Sequence, residues 1–540
     1  MLRQYVHQLG QKLVRKRRLE PREESEGPVA HLNTLQMVIL GVANTLGAGI
    51  YIVAGIVAKY ITGPAIVISF LVATLPCVMC ALCYAELWAR VPRSGSVYLY
   101  SYVTMGQLCA FIIGWNLILT LLIATASLSK VWSITFDSLI GNHISQALEG
   151  TFSPYMPSFL ATFPDFVALA LLLVMIGVTL LGPHTSPLII KVFTVFKIFV
   201  PIFMILSGFV KGDLHNWQLT EQDYRANTSG SSDIYRLGGY DPWPEKCFLG
   251  PLGSGGFMPF GFDGILRGAA LCFYPCFGVE AVVATGREAQ NPQRSVPLSM
   301  VISIFVGFLT YSGVSAALTL MVPYYQIHHY NPLPHTFLHI GWAPASYIMA
   351  VLFLCSFLYS LLFSIFFMSR FICAMAEDGL LFWGLAQVHA RTRTPIMAIM
   401  SSGNLAGIMV LLLDLRHIVE LMLPGIILAY TLAAFSVLVL RYQPDLNEKT
   451  KEEVGMEPEV EEQSLDSVPE AGTSNILKIL LLIILSLTLA QWPSQVFSGD
   501  PGLSTVAVLL LLLITGVTVI IWRQPQDPSP LHFKVGDLIC

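Results

Sequence analysis

About twelve stretches of roughly 17–26 mainly apolar residues recur along the chain, each long enough to cross a hydrocarbon core of about 30 Å as a helix. They lie near 35–59, 63–88, 106–128, 164–182, 188–210, 265–286, 297–322, 345–369, 396–413, 417–440, 476–492 and 503–522. In lipid an unpaired amide or carbonyl costs several kcal/mol, so such a chain is confined to helices that satisfy their own backbones. Composition agrees: the 540 residues are 54% hydrophobic and 12% charged, against about a quarter charged in soluble proteins. The fold class read from this pattern is an all-α polytopic membrane protein with about 12 transmembrane helices.

Loop charge then orients the spans. Residues 1–34 carry Arg3, Lys12, Arg15, Lys16, Arg17, Arg18 and Arg22 without an apolar core, the pattern of a cytosolic basic tail and not of a cleavable signal peptide. With that tail inside, the outer segments 137–160, 323–344 and 493–502 contain no Lys or Arg. The inner ones carry Arg90, Arg93, Arg287, Arg294, Arg370, Arg391, Arg393, Arg441 and Arg523. An even number of spans with both termini cytosolic follows. The outer loop 211–264 contains Asn227-Thr-Ser, an acceptor pattern for N-glycosylation on the accessible side. Residues 445–474 read as a disordered acidic cytosolic linker, 476–522 as two peripheral spans, and 523–540 as a cytosolic tail.

Two spans break the helical rule. Gly41-Val-Ala-Asn-Thr-Leu-Gly-Ala-Gly-Ile-Tyr-Ile-Val-Ala-Gly55 places Thr45, Gly47, Ala48 and Gly49 at mid-span. Two readings stand: small residues that let helices approach closely, or an unwound segment whose free amides meet an anion and whose free carbonyls meet a cation. The sixth span repeats the feature, with Pro275 and Gly278 interrupting it next to Glu280. Paired breaks in corresponding positions point to an inverted-repeat transporter with a mid-membrane site, the repeats covering about 35–210 and 265–440.

Ionisable side chains inside spans are costly and generally face a cavity or a partner. They comprise Glu86, Lys130, Lys197 and Glu280, with Arg267 near an outer end. Glu86 either pairs with Arg90 or serves function, and Lys197 lies too deep to reach water easily. A buried ammonium there reads as a built-in cation or a proton carrier.

Other chemistry is not evident. Cys77, Cys80 and Cys83 recur every three residues on a lipid-buried helix, a packing stripe and not a metal site, and no disulfide framework follows from the ten cysteines. His328, His329, His335 and His339 cluster in an outer loop, either incidentally or as a pH or zinc sensor. Nucleophile triads, phosphate loops and metal-ligand sets do not appear, so neither an enzyme nor a cofactor is expected. A formal net charge of −4, with no basic run beside aromatics, gives no reason to expect nucleic acid. The expected partners are amino acids and membrane lipids.

At these residues the chain resembles the cationic amino acid transporters of the amino acid–polyamine–organocation superfamily. The match runs through almost the whole chain, including Gly47-Ala-Gly, Cys83-Tyr-Ala-Glu86, Tyr98-Leu-Tyr-Ser-Tyr-Val103, Gly114-Trp-Asn-Leu-Ile-Leu119, Ala374-Met-Ala-Glu-Asp-Gly-Leu-Leu-Phe382 and Leu440-Arg-Tyr-Gln-Pro444. The resemblance implies a LeuT-like 5+5 inverted-repeat core with peripheral helices. It also implies sodium-independent transport of arginine, lysine and ornithine at the plasma membrane. By position, it places the amides of Gly47, Ala48 and Gly49 beside Thr45 on the substrate carboxylate, and the carbonyls around Tyr274, Pro275, Cys276 and Phe277 on the α-amino group. Asn116 and Ser356 fall on helices that line the family's site, and Glu86 matches a glutamate on which family transport depends.

The departures shape the alternatives. Pro275-Cys-Phe-Gly-Val-Glu280 replaces the family's Phe-x-Gly-Phe-Asp run, and span eight gains bulk at Phe357, Tyr359 and Phe363. Span ten gains Leu423-Pro424, and Lys197 replaces the family's asparagine with a lysine that stands in for sodium in bacterial relatives. The family continues beyond the equivalent of Cys540 into two more helices, whose absence is expected to leave the repeat core functional. A neutral or proton-coupled amino acid transporter, or a transport-inactive scaffold or regulatory protein, are the alternatives to cationic transport.

Overall fold

The computed structural model describes residues 32–47, 49–90, 97–155, 160–181, 187–220, 223, 255–273, 278–286, 289–328, 331–389, 394–442 and 512–513. The first span begins at Asn33, whose backbone N–H donates to Gln36 Oε1 at 2.9 Å, and forms α1, Thr34–Thr45. In its last turn two side chains bond back one turn, Asn44 Nδ2 to the Leu40 carbonyl and Thr45 Oγ1 to the Gly41 carbonyl, both at 2.9 Å. Such back-bonding competes with the backbone ladder. Leu46 then turns to ψ 63° and the Gly47 N–H bonds the Thr45 carbonyl at 2.8 Å, ending the helix. The chain resumes as π-helix over Gly49–Val53, passes through α2, Ala54–Val57, and winds as π-helix again over Ala58–Thr62. Wide turns of this kind are frequent at functional positions.

The following helices are α3, Ile66–Arg90; α4, Val97–Thr104; α5, Gln107–Leu139; α6, His143–Phe152; α7, Phe166–Leu180; and α8, Pro187–Lys211. The sixth span is divided between α9, Gly261–Leu271, and α10, Gly278–Thr285. Beyond it come α11, Pro292–Met321; α12, Pro332–His339; α13, Ala343–Glu377; α14, Ile396–Leu412; and α15, Leu415–Tyr442. No sheet occurs among the described residues, where the one β-bridge joins Leu32 to Ala289 and so ties the start of the first broken span to the end of the second.

Five stretches within the described residues are long and apolar enough to cross a membrane, and α1, α7 and α14 are shorter apolar helices. Apolar side chains face outward on these helices and on α8: Leu71, Leu75, Leu173, Val174, Phe305, Leu309, Phe209 and Val210 are all more than half exposed. Soluble proteins rarely display such continuous apolar surface, whereas a lipid-facing wall requires it.

Packing sorts the helices into two groups. α1, α3, α9, α10 and α11 pack on one another, as do α5, α7, α13, α14 and α15, while α8 bridges α11 and α13 and α15 reaches across to α3. Within the first group Ser69 Oγ bonds the Ile265 carbonyl at 3.0 Å and Tyr311 donates to the Thr45 carbonyl at 3.0 Å. Within the second, Asn116 Nδ2 donates to the Gly425 carbonyl at 2.8 Å and Thr125 meets Ser364 at 2.8 Å. The expected acidic linker 445–474 and Asn227 lie outside the described residues, as do the two peripheral spans apart from Leu512 and Leu513.

Candidate functional site

The two broken spans lie side by side. A Cβ on Gly278 would come within 2.4 Å of Thr45 Oγ1 and 2.6 Å of the Thr45 amide nitrogen, so α10 starts against the end of α1 without space for a methyl group. Gly41 is equally confined, between Ser303 and Val282. Gly47 differs: a Cβ there meets nothing nearer than the Asn44 carbonyl oxygen at 3.4 Å, an ordinary contact. Close helix packing therefore accounts for Gly41 and Gly278, and leaves Gly47 to be explained by the break itself.

A cavity opens beside this contact, with about 650 Å³ of non-atom space including its mouth. Asn44, Thr45, Gly47, Gly278 and Glu280 form its wall on the first helix group. Leu121, Ala124 and Leu128 from α5, with Ser360, Phe363, Ser364 and Phe367 from α13, form the facing wall on the second. Lys197 enters from α8 between them.

Lys197 is buried, its Nζ donating to the Ala43 carbonyl at 3.0 Å and standing 4.8 Å from the centre of the Tyr359 ring. The reason lies in α1. A helix that stops in mid-membrane exposes its last carbonyls and the negative end of its dipole, which a cation offsets. The Val42 carbonyl takes the Leu46 N–H, the Thr45 carbonyl takes Tyr311 and Gly47, and the Ala43 carbonyl takes Lys197. Tyr359, expected only as added bulk, supplies the ammonium with an aromatic face.

Glu280, also buried, accepts from Tyr84 at 3.1 Å, and Tyr84 in turn lies edge-on to Tyr430. The cavity wall thus contains one basic and one acidic side chain among small hydroxyls and apolar groups. That arrangement can hold a zwitterion: an anion against freed amides, a cation against carbonyls or the carboxylate.

Of the residues singled out from sequence, Thr45, Gly47, Lys197 and Glu280 come together at this cavity. Gly49 is buried at the start of the π-helix. Asn116 spends its amide on Gly425, and Ser356 is buried one turn from Ser360, bonding the Leu352 carbonyl at 2.8 Å. Ala48, Tyr274, Pro275, Cys276 and Phe277 lie outside the described residues, next in sequence to the helix ends that frame the cavity.

Glu86 is away from the cavity wall and fully buried. It receives Arg441 Nε at 2.8 Å on one oxygen and Arg441 Nη2 on the other. Arg441, counted in the sequence among inner-loop charges, is a partner that the reading from local spacing did not include. One signal could have found it: Arg441 ends a span, as Glu86 nearly does, with both ends on the inner side by loop charge.

The remaining intramembrane charges are accommodated locally. Lys130 lies within electrostatic reach of Asp165 and Asp414, and Arg267 pairs with Asp263 at 2.8 Å. Cys80 and Cys83 are free, while Cys77 is disulfide-bonded, contrary to the reading of the stripe as packing alone. Of the outer-loop histidines, His335 and His339 belong to α12, which packs on the π-helical part of the first span. The His328 and His335 rings are 5.2 Å apart, and burial holds His335 and His339 below the ordinary imidazole value. Among the described residues, no group of three or more His, Cys, Asp or Glu is placed to hold a metal.

Apolar outer walls, two broken helices and a cavity with one basic and one acidic side chain between two packed helix groups define a polytopic membrane transporter. A family model for amino acid permeases matches residues 32–519, and the chain belongs to that family. It is 38% identical over 429 residues to cationic amino acid transporter 4 of Mus musculus, covering 79% of this chain and 62% of that protein. Cationic amino acid transporter 4 of Homo sapiens is 36% identical over the same shares. A vacuolar cationic amino acid transporter 4 of Arabidopsis thaliana is 31% identical, covering 78% of this chain and 65% of that one. The chain thus spans slightly under two thirds of the length of these relatives. The family is one of transporters, which is not an enzyme class.

Proposed function

We propose that the chain carries cationic L-amino acids, arginine, lysine and ornithine, across the membrane by alternating access without sodium. The observation that carries this reading is the Lys197 ammonium on the Ala43 carbonyl, at the end of a helix broken in mid-span and facing the cavity. A fixed cation on the freed carbonyls does there what a bound sodium ion would do, so no coupling ion is needed to complete the site. Thr45, Gly47, Ala48 and Gly49 cradle the substrate carboxylate, the chain around Tyr274–Phe277 takes the α-amino group, and Glu280 supplies the acidic wall. The LeuT-like repeat and the full complement of about 12 spans fit the division into two helix groups, which rock about the cavity.

Names of relatives support the substrate class, since the mouse and human proteins are called cationic amino acid transporters. The plasma membrane, with both termini cytosolic and Asn227 glycosylated, is the proposed location. Lys197 also favours a second reading: a positive charge in the cavity wall repels a cationic side chain, which suits a neutral amino acid or proton coupling.

Sodium-free uptake of labelled arginine and leucine, with the protein at the cell surface quantified in the same cells, separates these readings. Saturable arginine uptake is the expected result. Leucine uptake alone selects the neutral reading, and no uptake of either with protein at the surface overturns the transport proposal.

A further inference from the structure

The Glu86–Arg441 pair joins the two helix groups: Glu86 lies near the end of α3 in the first and Arg441 at the end of α15 in the second. The carboxylate is 0% exposed and the guanidinium 19%, so water and salt screen the pair only slightly. One guanidinium edge, Nε and Nη2, engages both carboxylate oxygens, a two-point contact that fixes the distance and the angle between the two helices. Burying two charges is costly and a packed apolar contact would hold two helices as well, so such a pair is better suited to a contact that must be specific and breakable. Nearby contacts across the same seam are weaker in kind. Tyr84 lies edge-on to Tyr430 at 5.6 Å between ring centres, an interaction that tolerates sliding.

The geometry points to Arg441 as a positioning residue for transport: with Glu86 it forms an inner latch that holds the α3 end against the α15 end in this arrangement and must release for the groups to part on that side. The latch acts through Glu86 and touches no substrate. Its role in turnover rests on the transport reading above, but its existence as a movable contact does not.

A readout that needs no flux is built in. Cys83 is a free, partly buried thiol one turn before Glu86 on α3. When the latch parts, the end of α3 loosens from α15 and this thiol becomes more accessible. The full-length protein in membranes is labelled with N-ethylmaleimide, and modification of Cys83 is followed by peptide mass, for the wild type, Arg441→Lys, Arg441→Gln and the exchanged pair Glu86→Arg with Arg441→Glu.

Weakening the latch is expected to speed Cys83 labelling about fivefold or more, a change within the coupling range of contacting residues. The apparent KM for external arginine rises in the same variants, because the arrangement with the inner side closed is less populated. The exchanged pair brings both measures back toward wild type. A pair that merely holds the fold would lower the amount of protein in the membrane and leave labelling and KM of the remainder unchanged. That outcome overturns the inference, as do wild-type labelling and KM in Arg441→Gln. If Arg441→Gln does not reach the membrane, Arg441→Lys, which keeps the charge and loses the bidentate geometry, decides by the same two measures. Altered labelling without arginine uptake in the wild type leaves the latch standing and sinks the transport reading instead.

Discussion

Lys197 shows how much one residue settles and how much it leaves open. Its position among Phe193, Phe196, Ile198 and Phe199 reads in the sequence as an expensive charge in lipid, and cost alone marks it as functional. What the sequence could not supply is the partner, since a carbonyl carries no side-chain signature. The Ala43 oxygen is available because the helix ends at Leu46 and the Gly47 N–H, its i+4 donor in a continuous helix, bonds the Thr45 carbonyl instead. Tyr359 was visible as bulk but not as a ring facing the ammonium, a relation between α8 and α13 that only the tertiary fold creates. Lys197→Asn removes the cation from the helix end and the ring together. A hydrogen bond to a charged group contributes about 1.5–3 kcal/mol, so the change in apparent affinity is expected to be about tenfold or more. The variant should also change the pH dependence of uptake or the preference for substrate charge. Uptake kinetics measured from pH 5.5 to 8 that match the wild type would remove Lys197 from the mechanism.

The broken helices matter at the scale of elements. Their existence was legible, because Gly and Pro in the middle of an apolar span weaken the helix and are tolerated there only where close packing or an unwound site needs them. The reason for each glycine was not legible, since packing and unwinding both use small residues. The fold separates them: Gly278 faces the Thr45 backbone below 3 Å from any added Cβ, whereas Gly47 has space. Gly278→Ala must push two backbones apart, and overpacking of this kind costs about 1–3 kcal/mol. It is expected to lower the amount of folded transporter, or its melting temperature in detergent, by more than Gly47→Ala does. Gly47→Ala should fold normally and lower uptake, because Ala favours a continuous helix over the break by about 1 kcal/mol relative to Gly. Equal loss of stability in the two variants would show that packing governs both. The Glu86 partner was missed for a related reason. Local i,i+4 spacing pointed only to Arg90, while Arg441 stands 355 residues away on a helix that no sequence period connects to Glu86.

For the whole molecule, the division into two helix groups with a cavity at their seam turns a site into a pathway. If the groups rock about a bound amino acid and no sodium moves with it, the only driving forces are the substrate gradient and the membrane potential. Each positive charge carried inward gains about 2.3 kcal/mol at 100 mV, which corresponds to an accumulation of about fiftyfold at equilibrium. A neutral amino acid gains nothing from the same potential, so charge can be tested without knowing which residue reads the substrate tail. Proteoliposomes loaded with potassium, diluted into sodium-free and potassium-poor medium with valinomycin, supply an inside-negative potential on demand. Arginine is expected to accumulate well above its external concentration and to leave again when the potential is collapsed, while leucine only equilibrates. Arginine that equilibrates without accumulating would mean that a compensating charge returns with each cycle. That charge would have to leave on an exchanged cationic amino acid or a proton, and adding arginine inside the vesicles or collapsing the pH gradient tells the two apart. Accumulation of leucine driven by an inward proton gradient would instead give Lys197 the role of proton carrier and place the cavity in the service of a neutral substrate.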